Sequence, residues 1–123
     1  MPLIDIRTNQ KLTREEKRLL TRKLTSAFAS SSNAEVSKAI QYSIEDCIYM
    51  DFQGNDDVPT VSLVLNMSPY IPESDHEKII HAFFPILTEI MKVPKENIYI
   101  CISVQPYWGI NNIYINANEY LKK

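Results

Sequence analysis

Few residues in this sequence carry chemistry of their own, and the least ordinary of them is Pro2. A proline directly after an initiator methionine becomes a free secondary amine once that methionine is removed, and a small second residue is of the type that permits removal. A free α-amino group titrates at about 7.7–8.0, and apolar surroundings disfavour its charged form. Such an amine can take up and return a proton near neutral pH, where acid–base catalysis works best. The plainer reading is that Pro2 opens a β-strand, a position that proline tolerates.

The other reactive side chains are scattered. Cys47 and Cys101 lie far apart in strand-like stretches, where a free thiol packs as a small buried hydrophobe, and that reading is taken over a disulfide or a metal pair. His76 and His81 share one helical stretch with no further set of ligands, so they are read as surface or capping residues and no metal site is expected.

The elements that must position Pro2 follow from periodicity. Leu3 to Thr8 alternates as a strand, with Ile4 and Ile6 on one face, and Asn9-Gln10 reads as a turn. Thr13-Arg14-Glu15-Glu16 has the form of a capping box, and Leu20, Leu24, Ala27 and Phe28 then recur as one apolar stripe of a helix that ends near Ser30 to Asn33. Ala39 to Ile44 reads as a second strand and Ile48 to Phe52 as a short further one. The order then repeats. Thr60 to Met67 is a Val- and Leu-rich strand, and Ser74-Asp75-His76-Glu77 reads as a second capping box. It opens a helix carrying Ile79, Ile80, Phe83, Phe84, Leu87, Ile90 and Met91, kinked at Pro85 and stopped before Pro94. Ile98, Ile100 and Ile102 alternate in a fourth main strand.

This pattern predicts an α+β fold: two pseudo-repeated βαβ units in one four-stranded sheet with two helices on one face. The other sheet face then needs a cover, which a homo-oligomer supplies most simply. With 123 residues, 45% hydrophobic and 23% charged, the whole chain 1–123 is expected to be a single domain. A formal net charge of −2, with no run of Lys or Arg longer than two, excludes the footprint of a nucleic-acid binder. Neither a signal-peptide pattern nor a stretch long enough to span a membrane is present, so a cytoplasmic protein is expected.

Three places in the chain together resemble the macrophage migration inhibitory factor (MIF) family of the tautomerase superfamily. They are Met1-Pro2 with the strand ending in Thr8-Asn9, the stretch Met50-Asp51-Phe52-Gln53-Gly54, and Ile98-Tyr99-Ile100 with Trp108-Gly109-Ile110-Asn111-Asn112. The similarity covers about residues 2 to 115. The resemblance implies a homotrimer whose sheets enclose a central channel, with active sites between subunits and no cofactor. It implies that the Pro2 amine shuttles a proton in keto-enol tautomerisation of phenylpyruvate-like acids or isomerisation of dopachrome-like compounds. The implied partners are thus a small aromatic keto acid and two further copies of the chain. Export without a signal peptide is also known among relatives, so secretion stays open.

Carried over residue by residue, the resemblance places Tyr99 in the pocket of a neighbouring subunit, Ser68 where backbone meets the substrate carboxylate, and Trp108 and Ile110 in an apolar C-terminal wall. A half-buried strand tyrosine, a plain turn serine and packing across a subunit boundary are the respective plainer readings. Several positions depart from the family. Glu35 aligns with its carboxylate-binding lysine, so Lys38 substitutes only if the loop before the second strand is rearranged and otherwise reads, as is favoured, as a solvated strand-end lysine; Cys101 stands in place of the pocket asparagine. Gln53-Gly54-Asn55 replaces a Gly-Gly-Ser-like turn, and Thr60 and Leu63 fall where some relatives carry Cys-x-x-Cys, so thiol-disulfide chemistry is not predicted. The alternative to a tautomerase is a binding protein of the same trimeric fold, a cytokine-like mimic or scaffold with a protein receptor and little turnover.

Overall fold

The computed structural model describes residues 2–121. Its central sheet has four strands in the order β2-β1-β3-β4, formed by β1 (Leu3–Thr8), β2 (Gln41–Glu45), β3 (Val61–Met67) and β4 (Ile98–Val104). β1 runs parallel to β2, β3 runs parallel to β4, and the two pairs meet antiparallel at β1 and β3. Helix α1 (Arg14–Ser31) joins the first pair and α3 (Glu73–Met91) the second, so the two predicted βαβ units stand side by side.

Period-two alternation decides which face of the sheet is covered. Ile4 and Ile6 of β1 and Val61, Leu63, Leu65 and Met67 of β3 are buried against Leu20, Leu24 and Phe28 of α1 and Ile79, Phe83 and Leu87 of α3. Each such side chain withdrawn from water stabilises the fold by about 1.5–3 kcal/mol. The opposite face carries Asp5, Arg7, Gln41, Ser43, Tyr99 and Cys101, all exposed in the single chain. Its polar groups satisfy one another in part: Ser43 Oγ donates to Asp5 Oδ1 at 2.6 Å, and Arg7 lies 3.9 Å from Glu45.

The first helix begins as its sequence dictates. The Glu16 amide donates to Thr13 Oγ1 at 3.1 Å and the Thr13 amide donates to Glu16 Oε1 at 2.9 Å, which completes the capping box. The second predicted capping box does not form. The N-cap of α3 is Pro72, so Ser74 falls inside the first turn, where it does not cap. Asp75 there accepts a hydrogen bond from Ser32 Oγ at 2.9 Å and thereby ties the start of α3 to the end of α1. α3 continues as one helix through Pro85, whose exposed position lets its ring sit on the solvent side.

Three further expectations are corrected. Ile48 to Phe52 is not a strand: the Cys47 and Ile48 amides donate to the carbonyls of Gln10 and Thr8 at 3.0 and 3.2 Å, which folds this segment around the end of β1. Phe52 instead pairs only with Asn55 across a tight turn in which Gln53 and Gly54 have φ of 55° and 82°. The cysteines are both free and exposed, because Cys47 lies in a left-handed bend (φ 56°) and Cys101 points from the uncovered face of β4. The second strand starts at Gln41, not Ala39, because the turn that ends the short helix α2 (Ala34–Ser37), capped by Asn33 Oδ1 on the Val36 amide at 3.0 Å, draws the Ala39 amide to the Val36 carbonyl at 3.1 Å.

Beyond β4 the chain forms a separate antiparallel hairpin, β5 (Tyr107–Ile110) and β6 (Ile113–Asn116), followed by α4 (Ala117–Leu121). Asn111 and Asn112 have φ of 52° and 62°, the two left-handed residues of a type I′ turn, and asparagine tolerates that region well. Lys122 and Lys123 lie outside the described residues.

Candidate functional site

Pro2 is buried at the start of β1, and its carbonyl accepts the Gln41 amide at 3.1 Å. This continues the β1–β2 ladder, whose first register pair is Leu3 with Gln41. The hairpin folds back over the same end of the sheet. It is attached there by the Gln105 amide donating to the Met67 carbonyl at 2.7 Å, and Trp108 Nε1 donates to the Gln105 carbonyl. The result is a pocket of about 250 Å³ lined by Pro2, Leu3, Ala39, Gln41, Trp108, Gly109 and Ile110.

Three of the sequence-predicted site residues thus meet: Pro2, Trp108 and Ile110. A wall of this kind, one large aromatic ring with aliphatic neighbours and a single amide side chain, suits a small aromatic ligand held by shape and a few polar contacts. On the far side of Leu3, Trp108 and Gly109 lies a second hollow of about 400 Å³, to which Asn66, Gln105 and Tyr107 add polar groups.

The remaining candidates lie elsewhere in the chain. Ser68 follows the last residue of β3 at the same end of the sheet as Pro2. It is buried, and its carbonyl and hydroxyl accept the amides of Ile71 (3.3 Å) and Tyr70 (3.4 Å). Tyr99 is in register with Ser62, and Ser62 with Arg7, so it sits at the opposite end of the sheet from Pro2 and two strands away. At standard strand dimensions that is about 17 Å along the strands and about 10 Å across them. Tyr99 is 65% exposed and contacts Phe52 edge-to-face at 5.6 Å, so within one chain it cannot reach Pro2. Cys101 lies two residues further along the same exposed row, beside Val64.

Lys38 does not line the pocket, although Ala39 beside it does. Its ammonium lies 3.0 Å from the Glu35 carboxylate, and both side chains are exposed. Ala39, Gln41 and Leu3 were not singled out from sequence. Their place in the wall follows from the parallel pairing of β1 with β2, and no local pattern records that register. Among the described residues no group of His, Cys, Asp and Glu side chains is placed to hold a metal ion, and no helix is long and apolar enough to cross a membrane.

No protein-family model and no curated protein sequence matches the chain. Solved structures do match it. MIF2 of Leishmania major superposes with a TM-score of 0.85 over 94% of this chain and 97% of that one, at 15% identity. Pt0534 inactivated by 2-oxo-3-pentynoate gives 0.81 over 95% and 98%, at 16% identity. A fused 4-OT solved as a symmetric trimer gives 0.80 over 94% and 96%, at 13% identity. The chain has the fold that these proteins share.

Proposed function

We propose that this chain, which carries the fold of MIF and 4-OT proteins, is a tautomerase whose proton-transferring group is the amine of Pro2. The observation that carries the reading is the position of Pro2 at the base of a pocket walled by Trp108, Gly109 and Ile110. With Met1 removed, the Pro2 nitrogen takes the proton from the carbon next to a carbonyl. As the double bond shifts, the same amine hands that proton to the carbonyl oxygen, so the keto form becomes the enol and the amine is again neutral; the reverse steps restore the keto form. Burial keeps water from the amine and strengthens its response to the developing charge. The substrates are phenylpyruvate-like or dopachrome-like compounds, with the aromatic ring against Trp108. Inactivation of Pt0534, a protein of the same fold, by 2-oxo-3-pentynoate supports a 2-oxo compound as the kind of ligand to test.

The assembly proposed is a homotrimer. The uncovered sheet face and the exposed hairpin residues Tyr107, Ile113 and Tyr114 are surfaces that further copies would cover. A neighbouring copy would also bring Tyr99 to Pro2, which one chain cannot do. Trimers of the same fold support this arrangement.

A second reading is a binding protein of the same fold with little turnover. Pairing of Lys38 with Glu35 favours it, since the cation adjoining the pocket is not free to hold a keto acid. The test is tautomerisation of phenylpyruvate and of its methyl ester by protein whose N-terminus has been read by mass spectrometry, beside Pro2→Ala. Turnover that needs a free Pro2 supports the enzyme; a fully processed trimer without turnover overturns it in favour of the binding protein.

A further inference from the structure

The pocket at Pro2 has no charged side chain in its wall; its one polar side chain is the neutral amide of Gln41. The cation next in sequence to its wall is Lys38, one residue before Ala39, and the short helix α2 determines what that cation meets. Asn33 caps the helix, Ser37 Oγ donates to the Ala34 carbonyl at 2.6 Å, and the single turn so formed sets Glu35 and Lys38 three residues apart on one side. Their charged groups lie 3.0 Å apart with 81% and 71% of the side chains exposed. So exposed a pair adds little to stability. Its effect is on the field at the pocket: opposite charges this close nearly cancel for a ligand several ångströms away.

We infer that Glu35 is a specificity determinant which, by cancelling Lys38 beside the Pro2 pocket, turns the site from free carboxylates towards uncharged aryl carbonyl compounds such as a keto ester or keto amide. The inference rests on the Pro2 pocket being the ligand site proposed above and narrows its substrate class. Glu35 does not touch the ligand. It acts through Lys38, so removing its charge selectively strengthens the binding of anions.

Trp108 is the only tryptophan of the chain and forms part of the wall, so its emission reports occupancy without any turnover. The probes are 3-phenylpropanoate and 3-phenylpropanamide, alike in shape and different in charge. In the wild type the amide binds at least as tightly as the acid. Glu35→Gln tightens the acid about fivefold, the gain expected from one uncancelled charge at the mouth of a partly solvated site, and leaves the amide unchanged. The gain disappears at about 0.5 M salt, where the screening length is a few ångströms. It disappears also in the double variant Glu35→Gln/Lys38→Gln. A wild type that prefers the acid, a Glu35→Gln variant that shifts both ligands equally or neither, or no response of Trp108 to either ligand would overturn the inference. Turnover of phenylpyruvate and of its methyl ester is followed in the same preparations. Absence of turnover with the predicted order of binding intact would overturn the catalytic reading and leave this one standing.

Discussion

The Pro2 carbonyl accepts the Gln41 amide at 3.1 Å, so the first residue of β2 holds Pro2 from its carbonyl side. That bond does not involve the proline nitrogen, and removal of Met1 leaves it in place. Activity in preparations of mixed processing is therefore expected to follow the fraction of chains that begin at Pro2, as read by mass spectrometry. Pro2→Ala keeps the fold, seen by far-UV circular dichroism, and loses about 10²-fold or more in kcat/KM, the low end of what positioned acid–base groups contribute. A variant with unchanged kcat/KM would remove Pro2 from the mechanism.

Asp46 joins the segment after β2 to the start of α1. Its Oδ2 accepts the Leu12 amide at 3.0 Å and its Oδ1 lies 3.3 Å from Lys17 Nζ. The Leu12 amide foremost, then Lys17, holds the carboxyl below its ordinary range. A carboxyl lowered on folding adds stability above its unfolded pKa, and that stability is lost as pH falls through the folded value. Asp46→Asn should therefore lower the thermal midpoint at neutral pH, with the gap to wild type closing in acid. A gap of constant size from pH 7 to below the carboxylate range would refute the ionic argument.

Tyr42 and Thr25 link β2 to α1 through hydroxyls 2.6 Å apart. Burial raises the Tyr42 pKa, and the bond to Thr25 offsets part of the rise. Because the folded state prefers the neutral phenol, this contribution is present below the unfolded tyrosine range and is lost as pH rises through the folded value. Tyr42→Phe is expected to cost about 1 kcal/mol in urea unfolding at pH 7, the net worth of one such bond, and to flatten the loss of stability in alkali. Unchanged alkaline behaviour would assign that loss to other groups.

Phe83 is fully buried where α3 meets the sheet and α1. Phe83→Ala should lower unfolding free energy by about 3–5 kcal/mol, through lost transfer energy and the cavity left behind. A cost below about 1 kcal/mol would mean that the core can collapse around the gap.

Sedimentation velocity is expected to give three times the chain mass. Ile113→Asp combined with Tyr114→Ser places charge and polarity on the exposed hairpin and should shift the protein to monomer. A monomeric wild type would remove the proposed source of Tyr99 at Pro2.

The sequence disclosed best the elements whose pattern is local. Alternation over Leu3–Thr8 matches β1, and the Thr13 and Glu16 side chains that mark the start of α1 form both expected bonds. Ile48, Met50 and Phe52 do alternate in burial with exposed Tyr49 and Asp51, yet they form no strand. Alternation reports which side is sheltered, whereas a strand also needs a neighbour to accept its hydrogen bonds, and here the Cys47 and Ile48 amides are drawn to β1 residues and its turn instead. The site was legible to a similar extent. Pro2, Trp108 and Ile110 could be named from the resemblance, but Ala39 and Gln41 enter through a strand register that joins residues about forty positions apart. The Glu35–Lys38 pair depended on α2, a single helical turn in the connection before the expected second strand.

Ala117 is completely buried at the foot of the hairpin, where its amide donates to the Pro106 carbonyl at 2.7 Å. A methyl group there fills the space between α4 and the rest of the chain. A larger side chain at this enclosed position has to displace a neighbour at the foot of the hairpin whose strand β5 carries Trp108 and Ile110. Side-chain volume at residue 117, a position outside the pocket wall, is thus expected to bear on the aperture above Pro2 through the hairpin that roofs it.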